Sequence, residues 1–222
     1  MQKLIIAIDG PAGSGKSTLG RGLARRLDLL YVDSGAVYRA VGWRALYSGV
    51  SLDDGPAVAQ IARDCKIVFE GDPDTLRMLL DGRDVTPDIR TPEASHASSA
   101  VATIPEVREA VVDKLRQMTG ERGVVMDGRD IGTAVFPAAT LKVFLEASAE
   151  VRAHRRRDEE VTLGREVSVE DVRAEIDRRD RRDRERSATP LVKADDAILI
   201  DTSNVDAGAL LERVLEIVKS RR

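Results

Sequence analysis

Leu4-Ile5-Ile6-Ala7-Ile8-Asp9-Gly10-Pro11-Ala12-Gly13-Ser14-Gly15-Lys16-Ser17-Thr18 is the stretch that decides the fold of this chain. Its first five residues form an uninterrupted apolar run, the pattern of a strand buried on both faces of a parallel sheet. Residues 10–17 then match G-x-x-x-x-G-K-[ST] in full. The glycines let backbone N–H groups converge on an anion, and the N-terminus of the following helix adds partial positive charge. Lys16 reaches the β- and γ-phosphates of a nucleoside triphosphate, and Ser17 offers its hydroxyl to Mg2+. Residues 18–27 continue as an amphipathic helix, with Leu19, Leu23 and Leu27 four apart. Gly10, Pro11, Ala12, Gly13, Ser14, Gly15, Lys16, Ser17 and Thr18 are therefore the expected nucleoside triphosphate-binding residues.

Four further apolar runs resemble the first, at 29–32, 124–126, 141–145 and 198–200. Helical patterns lie between them, at 107–118 and 205–219. Strands alternating with helices imply an α/β fold with a five-stranded parallel sheet. Two stretches break the alternation. In the first, a helix-like segment at 36–46 precedes β-like runs at 66–69 and 76–80, joined by the turn-rich Glu70-Gly71-Asp72-Pro73-Asp74. That reads as a small β-containing insert. The second, 150–190, is almost wholly charged and helical in pattern. It breaks at Val161-Thr162-Leu163-Gly164, and Ser168 with Asp171 is placed to cap a new helix.

Composition sets outer limits. The 222 residues suit one compact domain with inserts. Aromatics are 3%, so the core must be built from Ala, Val, Leu and Ile. With 35 Lys+Arg against 38 Asp+Glu the chain is not a bulk polycation that coats nucleic acid. Only 7 of the basic residues are Lys and 28 are Arg. GC-rich coding accounts for such an excess, and so does repeated planar contact with phosphate or carboxylate. The 150–190 stretch holds twelve Arg and twelve Asp+Glu, so it is locally neutral, which argues against an RNA-binding arm. Cys65 is the only cysteine, which excludes an internal disulfide and a multi-cysteine metal site. His96 and His154 have no metal-ligand spacing. No apolar run approaches a membrane span, and residues 4–8 are too few for a signal-peptide core. The chain is expected to be soluble and cytoplasmic.

The phosphate-binding loop does not name the acceptor. Guanine-reading N-K-x-D is absent, and the strand at 124–126 leads into Asp127-Gly128-Arg129-Asp130, where an arginine points to a second anion rather than a bare water. In a parallel sheet the carboxyl ends of the strands face the ligand crevice. Ser34, Arg39, Arg129 and Asp130 are thereby expected beside Lys16. Arg179, Arg182, Asp183 and Arg186 share one face of a continuous helix and are expected to join them.

Taken together, I-D-G-P-A-G-S-G-K-S-T, D-S-G-A-V-Y-R, D-I-R-T, I-P-E-V-R, D-G-R-D-I-G-T-A-V-F-P and R-R-D-R-E-R with A-T-P-L give the chain a resemblance to the bacterial cytidylate kinases over essentially its whole length. These are CMP kinases, nucleoside monophosphate kinases of the P-loop class. The resemblance implies a P-loop NTPase-type three-layer fold. Its core would comprise 1–35, 105–150 and 190–222, with a monophosphate-binding insert at 36–104 and a short helical lid with flanking helices at 151–189. It implies transfer of the γ-phosphoryl group of ATP to CMP or dCMP by a monomer, with Mg2+ bound alongside ATP and Ser17. Arg39, Arg129 and Arg186 would hold the acceptor phosphate, with Lys16, Arg129 and Arg186 catalytic. Ser34 would line the same side. Ser99, Arg108 and Asp130 would read cytosine, while Arg179, Asp183 and Tyr38 would face the sugar. Arg155, Arg156 and Arg157 are the lid candidates for the ATP phosphates. Another small-molecule P-loop kinase, acting on UMP, AMP, dTMP or shikimate, is the competing reading.

Overall fold

The computed structural model describes residues 3–221. Met1 and Gln2, from the opening segment, and Arg222, at the end of the last expected core stretch, lie outside the described residues. In chain order the first half contains β1 (Leu4–Asp9), α1 (Lys16–Leu27), β2 (Leu30–Asp33), α2 (Ser34–Tyr47), α3 (Gly55–Asp64), β3 (Ile67–Glu70), β4 (Arg77–Leu80), β5 (Arg83–Asp84) and α4 (Pro92–Val101). The second half contains α5 (Pro105–Gln117), β6 (Gly123–Gly128), β7 (Leu141–Glu146), α6 (Ala149–Thr162), α7 (Val169–Glu185), β8 (Ile198–Asp201) and α8 (Ala207–Ser220).

Five strands form one parallel sheet in the order β2-β6-β1-β7-β8. β1 lies at its centre, and all six residues of β6 are buried beside it. Continuous apolar runs suit strands covered on both faces. On one face Ile6, Ile8, Tyr31, Val125 and Leu145 pack with the apolar stripes of α1 and α8. On the other, Ala7, Val32, Val124 and Met126 pack with α2, α3 and α5. The result is three layers, helix on sheet on helix. The expected five-stranded α/β sheet is present, and each strand lies within a residue or two of its apolar run.

β3, β4 and β5 form a separate antiparallel sheet. β5 was not expected, and neither were α3 and α4 as helices. Both helices carry signals that a closer reading finds. The Asp54 side chain accepts from the Ala57 N–H at 3.1 Å and Thr91 Oγ1 accepts from the Ala94 N–H at 3.2 Å, each with proline in the first turn. In α4 the run of Ala and Ser blurs the usual helical periodicity. In the charged stretch α6 ends at Thr162, and Ser168 Oγ accepts from the Asp171 N–H at 3.0 Å to start α7.

Candidate active site

The carboxyl ends of β1, β2 and β6 open into a cavity of about 550 Å³. The phosphate-binding loop forms its floor. Gly10 has φ 145°, and a side chain there would run into the Leu145 carbonyl of the neighbouring β7, so only glycine lets the chain leave the sheet at this point. Gly15 has φ 89° and starts α1. Lys16 Nζ donates to the Pro11 carbonyl at 2.6 Å, folding its ammonium over the loop. Burial, then repulsion from Arg129, lowers the Lys16 pKa to about 7. A cation held so unfavourably gains most when anionic oxygens arrive.

Ser17 Oγ donates to Asp127 Oδ2 at 2.8 Å. Burial and the nearby Asp33 push Asp127 up to about 6. Mg2+ takes oxygen ligands and usually keeps one or two protein groups beside phosphates and water. A hydroxyl and a carboxylate at the end of the loop fit that donor set. The sequence reading had Ser17 but not Asp127.

Of the expected acceptor residues, Ser34, Tyr38, Arg39, Ser99, Arg129, Asp130, Arg179, Asp183 and Arg186 all line the cavity. Arg108 is buried behind it and ion-paired to Asp130. The cavity is not a bare cationic patch. Arg39 pairs with Asp33 at 2.7 Å, and Arg129 Nε donates to Asp183 at 2.8 Å. Burial raises Asp33 and Asp183, but their arginine partners outweigh it and hold both carboxyls below their ordinary range. Arg179 has no such carboxylate partner among the described residues. Burial and then Arg129 bring it down to about 10. The Tyr38 hydroxyl is buried without a hydrogen bond and is pushed up to about 12, mainly by burial.

The expectation that Arg186 shares the helical face of Arg179 and Asp183 is corrected in its cause. α7 ends at Glu185, and Arg186 adopts an extended conformation, φ −61° and ψ 139°. It reaches the cavity because the chain turns back there, with the Leu191 N–H donating to the Asp183 carbonyl at 2.7 Å. Arg182, also expected in the cleft, does not line the cavity itself but donates to the lining Ser99 Oγ at 3.2 Å.

The three lid arginines separate. Arg156 lines the cavity and pairs with Glu159 and Glu160. Arg155 lies beside Gly15 in an adjoining hollow and donates to the Thr202 hydroxyl and carbonyl. Arg157 lines neither; its half-exposed side chain pairs with Asp158.

Other residues at the site had no motif to announce them. Asp9, buried at the end of β1, accepts from the Ile131 N–H at 2.8 Å and the Gly132 N–H at 2.7 Å. It thereby fixes the turn that follows Arg129 and Asp130. Arg152 and Asp180, both buried, pair at 2.6 Å and hold the carbonyl and N–H of Ala12 between them. Truncating one member of such a pair costs about 3–5 kcal/mol, because the other charge stays buried and unpaired. Arg21 lines the cavity over the Tyr31 ring. A loop that grips one phosphate chain, facing a cavity that grips a second anion, is the arrangement of a P-loop phosphotransferase.

Comparison with known proteins narrows the class. A family model described as Cytidylate kinase matches residues 6–220. The cytidylate kinase of Desulfitobacterium hafniense (strain Y51) is 46% identical over 220 residues, covering 99% of this chain and 94% of that protein. The cytidylate kinase of Geobacillus kaustophilus (strain HTA426) is also 46% identical, covering 99% and 98%. The chain belongs to the cytidylate kinase family. A crystal structure of an uncharacterized protein from Eubacterium ventriosum ATCC 27560 shares the fold, with a TM-score of 0.54 at 13% identity, over 98% of this chain and 99% of that one.

Proposed function

We propose that the protein transfers the γ-phosphoryl group of ATP to CMP or dCMP, giving ADP and CDP or dCDP. The observation that carries the reading is the buried Asp130 carboxylate, held by Arg108, in the same cavity that Lys16 and Ser99 line. Cytosine presents an exocyclic amine that needs an acceptor, and N3 and O2 that need donors. A carboxylate, a guanidinium and a hydroxyl supply that set.

The attacking group is a phosphate oxygen. Its second pKa is near ~6, so it is already anionic at neutral pH and no general base is required. The barrier is instead the approach of two polyanions. Lys16 faces the donor phosphates, and Arg39, Arg129 and Arg186 face the acceptor phosphate, so their charges offset repulsion and stabilise the transferring group. Arginine stays protonated while binding oxygens in pairs. Ser17, with Asp127 behind it, would hold Mg2+, which would supply neutralisation of phosphate charge when bound. In this reading residues 36–104 carry the acceptor side and 151–189 form a lid that excludes water. Arg155 and Arg156 are then the lid arginines best positioned for ATP. Tyr38, Arg179 and Asp183 bound the sugar. No helix among the described residues is long and apolar enough to cross a membrane. The same reading has the enzyme acting on free nucleotides as a cytoplasmic monomer.

The test is steady-state ADP formation with CMP, dCMP, UMP, AMP, dTMP, shikimate and no acceptor. CMP and dCMP are expected to give the highest kcat/KM. A higher value for AMP, dTMP or shikimate sinks the assignment.

A further inference from the structure

Thr189 lies three residues beyond Arg186, outside every helix and strand, and touches three acceptor-side residues at once. Its hydroxyl accepts from Arg108 Nε at 2.8 Å and donates to Asp130 Oδ2 at 2.7 Å. Its carbonyl accepts from Arg186 Nε at 2.8 Å. Its backbone is strained, with φ 45°, a conformation that a β-branched residue adopts only when its surroundings impose it. Two anchors impose it here: Arg186 on the Thr189 carbonyl, and Leu191, buried and bonded to the Asp183 carbonyl two residues on.

These bonds leave the two Asp130 oxygens unequal. Oδ2 receives both the Arg108 guanidinium and the Thr189 hydroxyl. Among the described residues Oδ1 has only the Arg186 guanidinium, at 3.6 Å, beyond hydrogen-bond length. A carboxylate so engaged turns one bare acceptor oxygen toward the cavity. That oxygen attracts an exocyclic amine and repels a carbonyl. Arg108 is held in turn, with Nε on Thr189 and Nη1 on the Ala102 carbonyl at 3.2 Å. It therefore cannot swing round to offer donors to a carbonyl at the amine's position.

We infer that Thr189 is a specificity-determining positioning residue: its hydroxyl locks Asp130 and Arg108 in the orientation that accepts an amino-pyrimidine monophosphate and rejects its oxo counterpart. The inference rests on the proposed reading of the base by Asp130 and Arg108. Without the hydroxyl, Asp130 Oδ2 keeps only Arg108 and Arg108 loses the partner on Nε, so both side chains are held less firmly. Discrimination then falls, although neither group has been removed.

The experiment compares wild type with Thr189→Val, Thr189→Ala, Thr189→Ser and Asp130→Ala. Valine keeps the β-branch and the strain but lacks the hydroxyl, alanine removes the crowding as well, and serine keeps the hydroxyl. The readout is kcat/KM for CMP divided by kcat/KM for UMP, with KM for ATP measured alongside. The ratio is internal to each preparation, so a misfolded fraction cancels. Loss of hydrogen bonds to charged groups is expected to lower the ratio about tenfold in the valine and alanine variants. Serine should keep the ratio within about twofold of wild type, and KM for ATP should stay as constant in all three. An unchanged ratio in both the valine and alanine variants, while Asp130→Ala collapses it, overturns the role of Thr189 alone. An unchanged ratio in Asp130→Ala overturns the base-reading assignment and the inference with it.

Discussion

The two sides of the cleft are built on opposite plans. In the proposed reading the donor side is one continuous stretch, residues 10–18, and would work through backbone N–H groups, a helix terminus and a single lysine. The proposed acceptor side is assembled from at least five separated segments, around Ser34, Ser99, Arg108, Arg129 and Asp183, and would work through side chains. Nearly every cation on that side is matched by a carboxylate, as in Arg39 with Asp33 and Arg129 with Asp183. A triphosphate tail is the same in every nucleotide, so a rigid backbone cradle suffices. An acceptor must be told from its near relatives, which takes directional side-chain groups held by other side chains.

That contrast can be broken most severely on the donor side. Lys16→Ala is expected to lower kcat by about a thousandfold or more, since it removes the one cation the loop aims at the transferring group. The fold should survive, because the Lys16 ammonium has few partners, the Pro11 carbonyl and the Ser14 hydroxyl, and its burial depresses its pKa. Near-normal turnover in a folded Lys16→Ala protein would end the donor-site assignment.

The acceptor side should fail differently. Asp130→Ala is expected to cut kcat/KM for CMP by about 10–100-fold and to shift preference toward UMP, with little change in KM for ATP. Equal losses for both pyrimidines would mean that Asp130 maintains structure without reading the base.

Asp9 joins the two sides, since it ends the strand that feeds the loop and holds the Ile131 and Gly132 N–H groups. Asparagine can accept at only one of those sites. Asp9→Asn is therefore expected to raise the KM for CMP several-fold, about 1 kcal/mol for one lost buried bond, more than it raises the KM for ATP. Its pH signature is separable. Burial pushes the Asp9 pKa from 3.8 up to about 6. The folded state therefore binds its proton more tightly than the unfolded chain does, and this contribution to stability is lost as pH rises from about 4 through 6. The Tm of Asp9→Asn relative to wild type should accordingly climb over that interval. A flat difference across pH 4–6 would show that Asp9 titrates normally.

The smallest effect belongs to the lid. Arg157→Ala should leave kcat and both KM values within about twofold, because its side chain faces solvent in an exposed ion pair. Arg155→Ala should raise the KM for ATP further than Arg157→Ala does. The reverse order would mean that the lid arginines exchange roles on closing.

Much of this molecule was legible from residue order. The phosphate-binding loop, the five apolar strand runs and the Ser168 cap are local patterns, each set by a few neighbouring residues, and the structure has all of them. α4 was missed because its alanine- and serine-rich sequence carries little periodic contrast, whereas α3 is short but has a clear apolar face at Val58, Ala59 and Ala62; Asp54 and Thr91 cap the two as the rules for helix starts require. The Arg excess was ambiguous, and the structure divides it. Arg108 and Arg152 are buried, and Arg129 partly buried, in ion pairs at or behind the cleft, whereas Arg25, Arg26 and Arg77 form exposed pairs.

The sequence by itself determined the fold class, the donor loop and the set of arginines and aspartates available to the acceptor side. Only the tertiary structure decided which of those charges meet. Asp9 lies 122 positions from Ile131, and Arg108 lies 81 from Thr189. Contacts at such separations depend on how sheet and helices pack, and a periodic pattern in a short window carries no information about them. Arg186 shows this in one residue: its spacing placed it on a helix face, but the helix stops at Glu185 and a backbone turn delivers the side chain instead. Local physics sets each element, and packing sets which side chains can exchange a hydrogen bond across the cleft.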